Sequence, residues 1–423
     1  MARCPHIMRV EERKLELDGY SSSMKIITIE NENANDSGDK ARLLINFGEH
    51  GRELISPEIA LEMLDTLCDS DKRTSMLQAQ DIDAESVEDI LDKVIIKIIP
   101  VENPRGRELV EGGALCERKN GRGVDPNRNW AVHWGYKEKD YDPEEEYPGK
   151  KPFSEPETAM MKALAEDFRP HLWLNVHSGM EAMFLPYDHK NEVPQGDAAE
   201  ATLQILKTLN EKVCDGRCAV GPGGKTVGYL AHGTATDYMH DVLGVGLVMT
   251  WEVYGDEKAA YIDCFRMFNP LSLAAFESVV NQWTGAVYAL IAALPGHPSM
   301  PALLGGRSTD VDGEDEGDGA KLALGRKGGG GAKGRVGDRE PSSTTTATTT
   351  TSKLKGVGGG SKGASTLLGE QLAMRKRGHD VVGYSVLAVA CVLYVAYFLA
   401  AISRRRARMG GRRSRSRSSL SVV

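Results

Sequence analysis

Four polar groups in this chain stand where apolar runs end, and their chemistry is complementary. His50-Gly51-Arg52-Glu53 follows Leu43-Leu44-Ile45-Asn46-Phe47-Gly48, His177 ends Leu172-Trp173-Leu174-Asn175-Val176, and Glu252 ends Leu247-Val248-Met249-Thr250-Trp251. Two imidazoles and a carboxylate, His50, His177 and Glu53, can hold zinc with one coordination position open. Water in that position becomes acidic near a pKa of about 7, and a further carboxylate, Glu252, can take its proton. Asn127-Arg128-Asn129-Trp130 closes a Gly-rich stretch. A guanidinium offers a carboxylate two parallel donors, a geometry lysine cannot reproduce. Metal, base and carboxylate receptor together point to hydrolysis at the end of a peptide chain.

Spacing alone does not single out the metal ligands. His189 and Glu192 have the same separation as His50 and Glu53. They lie in Pro186 to Pro194, a polar stretch bounded by prolines that reads as a surface loop. His50, in contrast, follows a run that reads as a buried strand. Ser56-Pro57-Glu58 then reads as an N-cap with proline at the first helical position, before apolar residues at helical spacing. The pair is thus expected at the carboxyl end of a strand, where open α/β sheets place ligands. A lone carboxylate inside Val248 to Val253 is costly to bury without a partner or a function, which favours a working role for Glu252.

In this order, these residues resemble the zinc carboxypeptidases related to pancreatic carboxypeptidase A, over roughly residues 20–296. The resemblance implies His50, Glu53 and His177 as ligands of one Zn(2+), and Glu252 as general base and acid. It implies Asn127 and Arg128 as receptor for the terminal carboxylate of peptide or protein substrates. Arg118, in Cys116-Glu117-Arg118-Lys119-Asn120, corresponds to the arginine that polarises the scissile carbonyl. Tyr229 corresponds to the tyrosine that closes over substrate, and Arg52 to a secondary subsite arginine. Asp125 falls where the family keeps a carboxylate that orients the first histidine. Thr236 falls at the base of the pocket for the terminal side chain, implying a small, apolar or uncharged polar preference.

The elements that must carry these groups alternate. Apolar strand-like runs (Lys25 to Ile29, Arg42 to Phe47, Val94 to Pro100, Leu172 to His177, Gly244 to Val253) are separated by helical stretches. One helix is expected from a capping box at Ser154-Glu155-Pro156-Glu157, and another over Leu271 to Leu294. This predicts an α/β domain over residues 20–296. It would hold a mixed, mostly parallel twisted sheet of about eight strands with helices on both faces.

Residues 297–375 turn to Gly, Ser, Thr, Lys and Asp and cannot bury a core, which reads as a disordered linker or stalk. Residues 381–402 run for 22 positions without a charge and read as a transmembrane helix. The tail, 403–423, carries eight arginines and no acid. The positive-inside rule places it in the cytoplasm and the catalytic domain in the lumen or outside the cell. Setting those arginines aside, the formal net charge of −8 becomes −16 for the rest, which argues against nucleic acid as a partner.

Met1 to His6 lacks the apolar core of a signal peptide. Of the seven cysteines, Cys214 and Cys218 suggest a local disulfide, Cys391 falls in the expected span, and the others have no partner assignable from sequence. Oligomeric state is likewise open. Two other readings compete: a cytosolic-facing hydrolase of the same superfamily acting on acidic tails or on amide or γ-linked bonds, and an inactive membrane-tethered module that binds peptide C-termini.

Overall fold

The structure, a computed structural model, describes residues 4, 6–31, 39–260 and 263–305. The expected membrane span at 381–402, the tail after it and all but the start of the expected linker lie outside the described residues. Among the described residues no helix is long and apolar enough to cross a membrane.

Eight strands form one mixed sheet: β1 (Met8–Leu17), β2 (Tyr20–Ile29), β3 (Ala41–Phe47), β4 (Val94–Ile99), β5 (Leu172–His177), β6 (Met180–Leu185), β7 (Ala219–Pro222) and β8 (Leu247–Tyr254). Their order is β1-β2-β4-β3-β5-β8-β6-β7. The centre, β4-β3-β5-β8, is parallel throughout, while β1, β2 and β6 join antiparallel. Strand side chains alternate between faces, and the apolar runs fill both. Leu43, Ile45 and Phe47 of β3 pack with Ile59 and Met63 of helix Ile55–Leu67 and with Trp283 and Val287 of helix Leu273–Ala292. Leu44 and Trp173 face the other way, onto Met161 and Leu164 of helix Pro156–Phe168 and Tyr238 of helix Ala235–Asp241.

The sheet begins at Met8, ahead of the start expected at residue 20. β1 carries no apolar run; it is an edge strand whose Glu11, Glu12, Arg13 and Lys14 face mostly solvent, and charge on an edge blocks further strand pairing. Two expected caps also differ. Ser56 lies inside the first turn of its helix, whose N-cap position is Leu54, and its hydroxyl accepts from the Gly48 amide at 3.1 Å. Ser154 does not cap helix Pro156–Phe168. Its hydroxyl donates to Glu155 and accepts from Asn129, because both side chains are buried there and need partners. Ser272 does cap its helix, accepting from the Ala275 amide.

Among the described residues, three disulfides join Cys4 to Cys68, Cys116 to Cys264 and Cys214 to Cys218, the last as expected.

Candidate active site

β3, β5 and β8 are parallel neighbours, so their carboxyl ends share one rim of the sheet. β3 ends at Phe47, and Gly48 turns the chain with φ of 65°, bringing His50 and Glu53 over that rim. The β5–β8 register places His177 opposite Glu252. The four expected groups therefore meet.

His50 Nδ1 lies 2.7 Å from Glu53 Oε1, His177 Nδ1 lies 3.0 Å from Glu53 Oε2, and the two Nδ1 atoms are 3.1 Å apart. All three side chains are buried. The far nitrogen of each ring faces another carboxylate: Asp125 Oδ1 at 3.2 Å from His50 Nε2, and Glu49 Oε2 at 3.1 Å from His177 Nε2. A proton on each Nε2 leaves two Nδ1 lone pairs and a carboxylate pointing at one spot. Such a set repels itself unless positive charge sits in its middle. Burial opposes charge on His177, yet Glu53 and Glu49 raise its pKa well above the ordinary value. Burial likewise works to raise Glu53, but His50 and His177 hold it well below the usual carboxylate range. These residues fit a zinc ion, which takes imidazole nitrogen and carboxylate oxygen. Glu49, His50 and His177 also cluster within 4.8 Å, but Glu49 approaches behind the His177 ring, away from the shared spot.

Asp125 organises the next layer. It accepts Arg118 Nε at 2.8 Å and the Asn127 amide at 3.0 Å, and Arg128 Nη1 is 4.0 Å away. Burial raises its pKa, but Arg118 and His50 outweigh that and keep it ionised. Arg118 Nη1 reaches 3.3 Å from His50 Nδ1 and 4.0 Å from Glu53. Arg128 donates to the Asn127 carbonyl and to Glu146 at 2.9 and 2.8 Å. The Asn127 amide oxygen is held by the Ala235 N–H, which leaves its NH2 donors for a ligand.

A cavity of about 70 Å³ is lined by His50, Arg118, Asn127, Arg128, His177, Tyr229 and Glu252, together with Phe184, Asp188, Gly223, Gly224, Val227, Ala231, Thr234 and Thr250. Glu252 Oε2 is buried with no hydrogen-bond partner. Burial and then Glu53 push its carboxyl up to about 8. Gly223 and Gly224 are required there, since a Cβ on either would stand 2.0 Å from Asp188 Oδ1 or 2.5 Å from its carbonyl oxygen.

Two expected residues sit elsewhere. Thr236 does not line the cavity; it is fully buried and shares a 2.6 Å hydrogen bond with Thr250, because a hydroxyl in a dry environment must find a partner. Arg52 also lies off the cavity, bound to Glu145 at 2.8 Å and stacked 4.1 Å over the Phe268 ring.

Two residues escaped the sequence reading. Glu49 was legible only as an acid between a buried strand and a candidate ligand. Asp188 lies in the stretch read as a surface loop, yet its carboxyl is pushed up to about 7 by burial and by neighbouring Asp237.

The family model described as zinc carboxypeptidase matches residues 3–278. The chain is 23% identical to zinc carboxypeptidase A 1 of Drosophila melanogaster over 260 residues, 58% of this chain and 57% of that protein. It is 26% identical to carboxypeptidase A2 of Rattus norvegicus, over 51% of this chain and 52% of that one. Carboxypeptidase B of Astacus astacus is 24% identical over 65% of this chain and 88% of its own length. The chain thus spans little more than half the length of the fly and rat relatives. Among solved structures, thrombin activatable fibrinolysis inhibitor superposes with a TM-score of 0.56 at 20% identity, over 69% of each chain. Carboxypeptidase A from Helicoverpa armigera gives 0.54 at 21% identity, again over 69% of each. At those identities the superpositions establish the fold.

Proposed function

The chain belongs to the zinc carboxypeptidase family, and on that premise we propose that it hydrolyses the C-terminal peptide bond of peptides or proteins. The observation that carries this is the convergence of the His50 and His177 Nδ1 atoms with Glu53, in one cavity with Arg118, Arg128 and Glu252. Zinc held by His50, Glu53 and His177 would supply a Lewis acid that polarises a carbonyl and lowers the pKa of water toward neutral.

The chain's own groups do the rest. Arg128 and Asn127 take the substrate's terminal carboxylate, so only the last peptide bond reaches the ligand cluster. Glu252 accepts the proton of the attacking water and passes it to the leaving amine. Arg118, kept charged and aimed by Asp125, stabilises the negative charge that grows on the carbonyl oxygen. One such donor is worth about 3–4 kcal/mol in a transition state. Tyr229 follows Gly228, whose φ of 90° puts it in a turn, and it lies near both guanidiniums, suited to cover bound substrate.

Asp188, rather than Thr236, sets the preferred side chain. A carboxylate in the same cavity as the carboxylate receptor favours a terminal Lys or Arg, and a cation there relieves the burial of its charge.

The test is amino-acid release from a peptide panel by the zinc-loaded chain. Release should stop with a chelator and fall at least about a hundredfold in Glu252→Gln. Chelator-insensitive release, or full activity in that variant, sinks the proposal.

A further inference from the structure

Glu49 is buried at the head of the ligand segment, and nothing in the proposed reaction uses it. Its Oε2 accepts from Asn175 Nδ2 at 2.7 Å and stands 3.1 Å from His177 Nε2. Asn175 is in turn fixed, since its Oδ1 accepts from Asn46 Nδ2 at 3.0 Å across the β3–β5 register that pairs the two asparagines. Asn46 also donates to Glu102. Burial and the charge of Glu49 raise the Glu102 carboxyl well above its usual range, and its hydrogen bond is to Asn46 rather than to the imidazole.

The buried atoms of this group without a formed hydrogen bond include His177 Nε2 and Glu49 Oε1. They belong to neighbours at contact distance, and a small rotation of the ring lays its N–H on the carboxylate. The opposite histidine already has this arrangement, His50 Nε2 against Asp125. A carboxylate behind a ligating imidazole fixes its tautomer and orientation and increases its basicity.

We propose that Glu49 is a positioning residue for His177: it holds the Nε2 proton, so that the Nδ1 lone pair faces the spot shared with His50 and Glu53. Both histidines are then backed by buried acids, and the two acids come from different elements. Asp125 belongs to the loop that also aims Arg118 and Arg128, whereas Glu49 belongs to the sheet rim and is locked by Asn175. Glu49 is not itself a ligand. Its contact is with the far nitrogen of His177, and Asn175 occupies its Oε2 from the side of the sheet.

The inference rests on the zinc site proposed above, and the experiment separates the two. The full chain and its Glu49→Gln and Glu49→Leu variants are stripped of metal, and zinc affinity is measured by competition with a chromogenic chelator. Thermal unfolding of the metal-free proteins runs alongside, and cobalt spectra are recorded for each variant. Positioning predicts affinity weaker by about ten- to a hundredfold in Glu49→Gln, with cobalt bands of unchanged pattern because the ligands are unchanged. Should Glu49→Leu fail to fold, Glu49→Gln alone carries the result. Affinity within threefold of the parent, with only the metal-free unfolding temperature lowered, overturns the proposal in favour of a packing role. An altered cobalt spectrum overturns it in favour of direct ligation. A parent chain that binds no zinc overturns this inference and the proposed function together.

Discussion

At the scale of single residues, the groups read from sequence were those whose chemistry is costly without a function. A carboxylate ending an apolar strand, as Glu252 does, or an imidazole ending another, as His177 does, announces itself because burial of such groups needs a reason. Asp188 and Glu49 gave no comparable signal. Asp188 stands among polar residues and its burial comes from Gly223 and Gly224, distant in sequence. Thr236, which the resemblance puts at the pocket base, instead shares its hydroxyl with Thr250 of the cavity lining. Asp188 makes a pH prediction. Its folded pKa, up to about 7, lies above the ordinary aspartate value. It is therefore mostly neutral below pH 7 and charged above. Selectivity for C-terminal Lys over C-terminal Leu, as a ratio of kcat/KM, should rise from pH 6 to pH 8. Asp188→Asn should flatten that rise and lower the ratio at least about tenfold, the loss of a charged pairing partner. The same shift acts on stability: an acid whose folded pKa is raised makes the fold weaker as pH climbs from about 4 to 7. Asp188→Asn should thus raise Tm at pH 8 and leave it nearly unchanged at pH 4. A Tm unaffected at both pH values would show the carboxylate to be well solvated.

At the scale of elements, legibility followed burial on two faces. β3, β4, β5 and β8 form the parallel centre, and their uninterrupted apolar runs were found within a few residues of their ends. β1, β6 and β7 were missed. β1 is half exposed and charged, β6 follows β5 after only two residues, and β7 spans four residues, too few for a period to register. The register that brings His177 opposite Glu252 was not readable from composition, since strand pairing is set by the packed sheet. Loops depend on cross-links instead. Cys116 precedes Arg118 by two residues, and its disulfide to Cys264 ties the arginine loop to the segment carrying Phe268, over a separation of 148 residues. Replacing both cysteines by alanine should cost about 2–5 kcal/mol of stability, read by chemical denaturation. It should also lower kcat more than it raises KM, because Arg118 acts on the developing charge while Arg128 holds the ground-state carboxylate. An unchanged kcat with intact zinc binding would show that Asp125 alone positions Arg118.

At the scale of the whole chain, two independent features bear on the proposal that the zinc carboxypeptidase unit is membrane-anchored and faces away from the cytosol. All six cysteines among the described residues are paired, and such disulfides form and persist in oxidising compartments. Residues 381–402 supply 22 uncharged positions followed by eight arginines, the pattern on which we propose a membrane span with a cytoplasmic tail. Both features fit the proposal that the zinc site faces the lumen or the outside. The acidic character of the remainder, −16 once the tail's arginines are set aside, also disfavours a catalytic unit held flat against an anionic leaflet. The expected outcome is a protein that resists carbonate extraction from membranes. In intact vesicles, added protease should remove a tag after Val423 and leave the catalytic unit whole. Deleting residues 381–423 should release an active enzyme into the soluble fraction. Thiol alkylation under denaturing conditions without reductant should label Cys391 and none of the six paired cysteines. A catalytic unit digested in sealed vesicles while the tag survives, or six alkylated cysteines, would reverse the topology. The cytosolic-facing hydrolase would then be the better reading of the same zinc site.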